Sequence, residues 1–216
     1  MSSQAASSSV PNRNLIAVAG VLIQVALGAV YAWSVFRIPL TETYGTSVTA
    51  TNIAFTIVIL TLGFAAFFGG LWMRSVGPRI VAITAGILYG GGVFLASFAD
   101  NSLFLLYLTY GFMGGVGIGL GYIVPIAVLV KWFPDRRGFI TGVAVAGFGG
   151  GALVTTIIAR AILATGVSVF TTFGILGIIY LIMVVGGAMF MQNPPEGYSP
   201  GRLQSSGGGG ASEDDY

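Results

Sequence analysis

Residues 111–122 read GFMGGVGIGLGY, six glycines in twelve positions. Glycine at that density serves one of two chemistries. A phosphate-binding loop uses it to bring backbone N–H groups against an anion, and a membrane helix uses it to let two backbones approach. A Walker loop needs a Lys-Ser/Thr pair after its glycines, and Tyr122-Ile123 stands there instead. A Rossmann turn needs a preceding strand and an acidic residue about 20 positions on. Asp135 has roughly that spacing but lies beyond Pro134 in a basic loop. The helical reading accounts for more. Gly111, Gly115 and Gly119 are spaced by four, and Gly138/Gly142 and Gly147/Gly151 repeat the small-xxx-small pattern of close helix packing. Tyr122, two turns after Gly115, projects near the same face, and Pro125 follows it as an expected kink.

Polar side chains within apolar stretches are the other candidates for chemistry, because they are costly in lipid and turn toward the bundle interior or a cavity. Gln24, Gly28 and Tyr31 share one helix face. Gln24, Tyr31 and Tyr122 are therefore the substrate-binding candidates, with a helix–helix hydrogen bond as the alternative for Gln24. Trp33 reads as packing or an interfacial anchor. Arg37 and Arg160 are expected to snorkel to the outer headgroups, Arg160 beside a polar patch with Thr155 and Thr156. Thr109, Thr171 and Thr172 are expected to bond back to their own helices. No acidic residue lies deep in an apolar stretch, so neither a carboxylate proton relay nor a buried sodium site is expected. The chain has no His and no Cys. That excludes Ser-His and Cys-His nucleophiles and thiolate or imidazole zinc sites, so no catalytic residue, metal or cofactor is expected.

The elements that must position these groups follow from composition. The 216 residues are 55% hydrophobic and 7% charged, with mean hydropathy +0.91. A soluble domain carries roughly 25% charged residues, so the surface belongs in lipid. Six apolar segments long enough to span a bilayer lie at about 15–38, 52–73, 79–99, 103–130, 139–163 and 168–191. The fold class is all-α membrane protein. Residues 13–192 form the bundle, and 1–12 and 193–216, rich in Ser, Gly and Pro, are read as disordered. The first apolar run is too long for a signal peptide. With six spans, Arg13, Arg74, Arg79, Lys131, Arg136, Arg137 and Arg202 fall on one side, and Arg37 and Arg160 on the other. The excess of Lys and Arg marks the cytoplasmic side, so both termini are expected there.

YAWSVFRIPL (31–40), GGLWMRSVGPR (69–79), GVGIGLGYIVPIAVLVKWFPDRRGFITGVAVAGFG (115–149) and NPPEGY (193–198) fall in order along the chain. Together they resemble the oxalate–formate antiporter family of the major facilitator superfamily, and WFPDRRG is similar to the wider monocarboxylate porters. The likeness covers about 13–200. It implies one half of a carrier, a six-helix bundle of two inverted three-helix repeats, with a small organic anion held between this half and a second. It places Tyr31 and Tyr122 at the cavity and assigns the carboxylate-binding cations to the second half. It implies a bacterial inner-membrane protein, not an enzyme, working by alternating access, and no nucleic-acid partner. A truncated or split chain is implied too. The alternative is a six-helix subunit without transport activity of its own, covered by a partner half or by a second copy.

One motif departs from the pattern. The superfamily's loop between spans two and three usually reads G-x-x-x-D-R-x-G-R-R, whereas residues 70–79 read GLWMRSVGPR. Arg74 stands in the place of the acid, ahead of Gly77, Pro78 and Arg79. This loop and the Lys131, Asp135, Arg136, Arg137 loop are expected to form the gate on the basic side, with anionic lipid as another ligand for the second loop's cations.

Overall fold

The computed structural model describes residues 11–199, so expectations for 1–10 and 200–216, Arg202 included, lie outside the described residues. Six helices are long and apolar enough to cross a membrane: α1 (Arg13–Tyr44), α2 (Val48–Val76), α3 (Pro78–Phe98), α4 (Leu103–Trp132), α5 (Arg137–Leu163) and α6 (Val169–Ala188). Local chemistry sets their ends. Asn12, Ser47, Ser102 and Ser168 cap α1, α2, α4 and α6 with a side-chain oxygen on a first-turn N–H. Gly77, at φ 84°, turns the chain between α2 and α3, and Pro78 then opens α3 where a missing N–H costs nothing.

The first helix runs past the expected end at 38. It continues to Tyr44 and stops at Gly45, whose left-handed φ of 59° suits glycine. Pro39 sits inside it, and the Thr41 and Thr43 hydroxyls bond back to the Arg37 and Pro39 carbonyls, each at 2.8 Å. Polar TETY therefore finishes a helix rather than starting a loop. Two irregularities interrupt otherwise regular helices: a 3₁₀ turn at Ala29–Ala32 in α1 and a π-helical stretch at Tyr107–Gly114 in α4. Pro125 lies inside the α-helical part of α4, and the π-helical stretch lies earlier in the same span.

The dominant packing pairs are α3 with α6, α2 with α4, and α1 with α5, followed by α3 with α4 and α1 with α6. Exchanging α1 with α4, α2 with α5 and α3 with α6 maps this set onto itself. Two three-helix repeats related by a pseudo-two-fold account for that invariance. The centre of the relation is visible atom by atom. Gly90 of α3 faces Leu181 of α6, and Gly177 of α6 faces Phe94 of α3; a Cβ on either glycine would lie 2.6 Å from the facing Cα. Tyr89 and Tyr180 stack across the same seam with ring centroids 5.1 Å apart.

The six glycines of 111–122 are helical. Gly111, Gly115 and Gly119 all face α2, against Ile57, Val58 and Leu62, while Gly117 faces Tyr89 of α3 and Gly121 faces Leu27 of α1. Gly147 and Gly151 pack on α1, against Val21 and Gly28. Gly138 and Gly142 correct the expectation: a Cβ there meets nothing within 4 Å, so this pair forms no packing face within the chain. They lie toward the basic end of α5, a helix with only 28% of its apolar window buried. α2 is still less covered, at 22%.

Candidate functional site

Tyr31 projects from the 3₁₀ turn of α1, Tyr122 from α4 just before Pro125, and Phe148 from the middle of α5. The structure brings the three together. Phe148 receives both phenol rings edge-on, Tyr31 with centroids 5.6 Å apart at 85° and Tyr122 at 4.8 Å and 63°. Phe148 is buried, Tyr122 half-buried and Tyr31 52% exposed, so the cluster forms part of the bundle's surface. Edge-to-face pairs fix ring direction beyond what area burial alone does. What fixes Phe148 is the glycine contact beneath it. Gly28 lies directly against the Phe148 carbonyl, and no Cβ could fit between them. Among the described residues no hydrogen bond engages either phenol of the pair. The hydroxyls of Tyr44, Tyr89, Tyr107 and Tyr180 are all engaged, by Ala99, Ala26, Ala50 and Thr155. Each of the two phenols thus keeps its O–H available to donate.

Gln24 is not part of this surface. It is fully buried between α1 and α4, where its amide nitrogen donates to the Tyr122 carbonyl at 3.5 Å and its Oε1 has no partner. The expectation that Gln24 lines a path is corrected: it is an interhelical contact, and a long one. Trp33 is packing, buried against Tyr110 with ring centroids 4.9 Å apart, its N–H donating to Asn52 at 3.0 Å. Thr109 and Thr172 bond back as expected. Thr171 instead pairs with the capping Ser168. Arg160 is exposed, as snorkelling requires. Arg37 is half-buried, and its Nε has no acceptor.

The basic loops meet at one end of the bundle. Arg13 pairs with Asp135 at 3.2 Å and lies over the Phe133 ring, and Arg136 reaches Asp135 at 3.7 Å. Lys131 donates to Asn193 at 2.9 Å, Arg79 lies 3.4 Å from Gln192, and Trp132 donates to the Gln192 carbonyl at 2.8 Å. Residues 192–198 thus fold under the end of α4, with Tyr198 against Trp132. Arg74 lies in the last turn of α2, where a cation suits the helix dipole. Arg137 opens α5 and is exposed.

Two participants escaped the sequence reading. Phe148 is one apolar residue among many, and nothing marks it until two tyrosines converge on it. Asn193 lies past the last span, in a stretch expected to be disordered.

Residues 16–209 match the family model described as Major Facilitator Superfamily. The chain is 35% identical over 184 residues to the uncharacterized MFS-type transporter YhjX of Escherichia coli K12, covering 85% of this chain and 45% of that protein. It is 31% identical over 147 residues to the oxalate:formate antiporter of Oxalobacter formigenes, 66% of this chain and 34% of that one. Monocarboxylate transporter 13 of Rattus norvegicus is 40% identical over 86 residues, 40% of this chain and 20% of that protein. The chain spans less than half the length of each of these relatives.

Proposed function

This chain belongs to the Major Facilitator Superfamily, and on that premise we propose that it is one six-helix half of a secondary carrier for small organic anions, mono- and dicarboxylates of the oxalate and formate class. The observation that carries the reading is the Tyr31–Phe148–Tyr122 cluster, with its two unengaged phenols at a surface the bundle leaves open. The named substrates of two relatives support the class. Each phenol O–H donates to a carboxylate oxygen, and Phe148 between them holds the spacing. A second half supplies the opposing wall and the compensating cations. The two halves rock about the anion, which selects the closed form by binding it best. The basic end lies in the cytoplasm of a bacterial cell and both termini with it, on the strength of seven of nine Lys and Arg. There Arg74, Gly77, Pro78 and Arg79 with Lys131, Asp135, Arg136 and Arg137 form the rim of the inner gate.

Proteoliposomes containing this half assembled with a second six-helix half test the site through carboxylate exchange. A hydrogen bond to a charged group is worth about 1.5–3 kcal/mol, so Tyr31→Phe and Tyr122→Phe should each raise the half-saturation concentration about tenfold or more. Unchanged rate and affinity in the doubly substituted half would refute it. The uncovered apolar faces of α2 and α5 favour a second reading, a subunit inactive by itself. Uptake by the 216-residue chain alone would exclude it.

A further inference from the structure

At the basic end, a cleft of about 280 Å³ opens between the ends of α2, α3 and α4, lined by Met73, Arg74, Gly77, Ala127, Val128, Lys131 and Asn193. We propose that this cleft binds the phosphate of an anionic phospholipid headgroup. Three observations carry the assignment. The first is charge. The cleft holds two cations and an amide and no acid, and the ion pairs among the described residues all use Asp135, which does not line the cleft. Lys131 is held in place by Asn193 at 2.9 Å, so the chain folded under α4 fixes one cation at the cleft. Asn193 accepts one proton of the Lys131 ammonium and leaves two for a ligand. The second is the opposite wall. Met73, Ala127 and Val128 present carbon where a headgroup continues into glycerol and acyl chain, and a free inorganic anion would leave that wall unused. The third is position. Leu71 and Trp72, next to Met73 in sequence, are exposed at 50% and 37%, and an aromatic near the end of a span suits the membrane interface. Basic pockets between transmembrane helices at the cytoplasmic face suit such headgroups. Arg74 matters for the sign of the cleft: a carboxylate at that position would offset one of its two charges.

The cleft is separate from the Tyr31–Tyr122 surface, and its lipid binding is measured without transport. Native mass spectrometry of the full chain, with phosphatidylglycerol and phosphatidylcholine of matched acyl chains, tests it. Phosphatidylglycerol should be retained over phosphatidylcholine by roughly tenfold, as expected for two cations near a headgroup whose phosphate carries no compensating ammonium. Arg74→Gln with Lys131→Gln should bring the two lipids to parity, and Arg74→Lys should keep the preference. Arg136→Gln with Arg137→Gln, outside the cleft lining, should also keep it. Equal phosphatidylglycerol retention in the wild type and the Arg74→Gln/Lys131→Gln chain would overturn the proposal. So would full displacement of the lipid by glycerol 1-phosphate, which would assign the cleft to a soluble phosphate. Should the double variant fail to fold, Arg74→Gln alone, at an exposed side chain, carries the same comparison.

Discussion

Gln24 shows how burial overrules residue type. In the sequence it is a polar side chain on the same helix face as Tyr31, and both suit a wet surface. In the bundle, the close approach of Gly28 to Phe148 seats α1 so deeply that Gln24 is sealed while Tyr31, seven residues on, stays open. Its amide bond is long and its Oε1 is an unsatisfied buried acceptor, which costs roughly 1–3 kcal/mol. Gln24→Leu fills the same volume without that acceptor and should leave stability unchanged or raise it by up to about 1 kcal/mol. Gln24→Ala leaves a cavity and should lower it by about 2 kcal/mol or more. Reversible unfolding in mixed micelles compares the two, and a stability loss in Gln24→Leu equal to that in Gln24→Ala would show the amide bond to be strong. Asp135 makes the opposite case. Its pair with Arg13 is about one-third exposed on each side, so solvent screening keeps its worth below about 1 kcal/mol. Asp135→Asn should scarcely move the unfolding midpoint, and less still at high salt. Tyr31 and Tyr122 were legible as candidates by their helix faces, shared with Gln24 and Gly115, and by the resemblance that places both at a cavity. Phe148 was not, because an aromatic ring among aliphatic neighbours sends no polar signal.

Among elements, glycine spacing proved legible as a pattern but not in its partners. Three small-xxx-small pairs or triplets were readable, yet only those meeting another helix do any packing. Gly28 and Gly151 face each other across α1 and α5, whereas Gly142 faces open space. Gly28→Ala would drive a methyl into the Phe148 carbonyl and should destabilise by about 3 kcal/mol or more, since backbone cannot yield as a side chain can. Gly142→Ala should be neutral or stabilise by up to about 1 kcal/mol through helix propensity. Thermal unfolding of the two variants side by side tests this. A large loss at Gly142 in the isolated chain would mean that its face is covered by a second copy. The two irregular turns were illegible, because 3₁₀ and π geometry arise from tertiary crowding. In α4 the π-helical stretch carries the Thr109 carbonyl to Gly92 of α3, where a Cβ would lie only 2.6 Å from it. The length of α1 was missed for a local reason: Thr41 and Thr43 bond to backbone carbonyls around Pro39 and keep a polar segment helical.

For the molecule as a whole, six spans were legible, because twenty-residue apolar runs separated by short polar turns admit little else in lipid, while their arrangement as two repeats came from the family resemblance. Their orientation rests on charge alone and is directly checkable, since the chain has no cysteine. Asn101→Cys, in the turn between α3 and α4, should react with an impermeant maleimide applied to intact cells. Ser75→Cys, at the end of α2, should react only after the membrane is opened. The reverse pattern would invert the topology. The half-turn relating the two repeats reaches further than architecture. A perfectly symmetric pair would open to either side of the bilayer at equal energy, each repeat trading roles with the other. Any resting preference must then come from where the repeats differ, and their first helices differ plainly: α1 is overwound at Ala29–Ala32 and α4 underwound at Tyr107–Gly114. The difference between the repeats is thus written in helical pitch, with Tyr31 riding on the tighter coil.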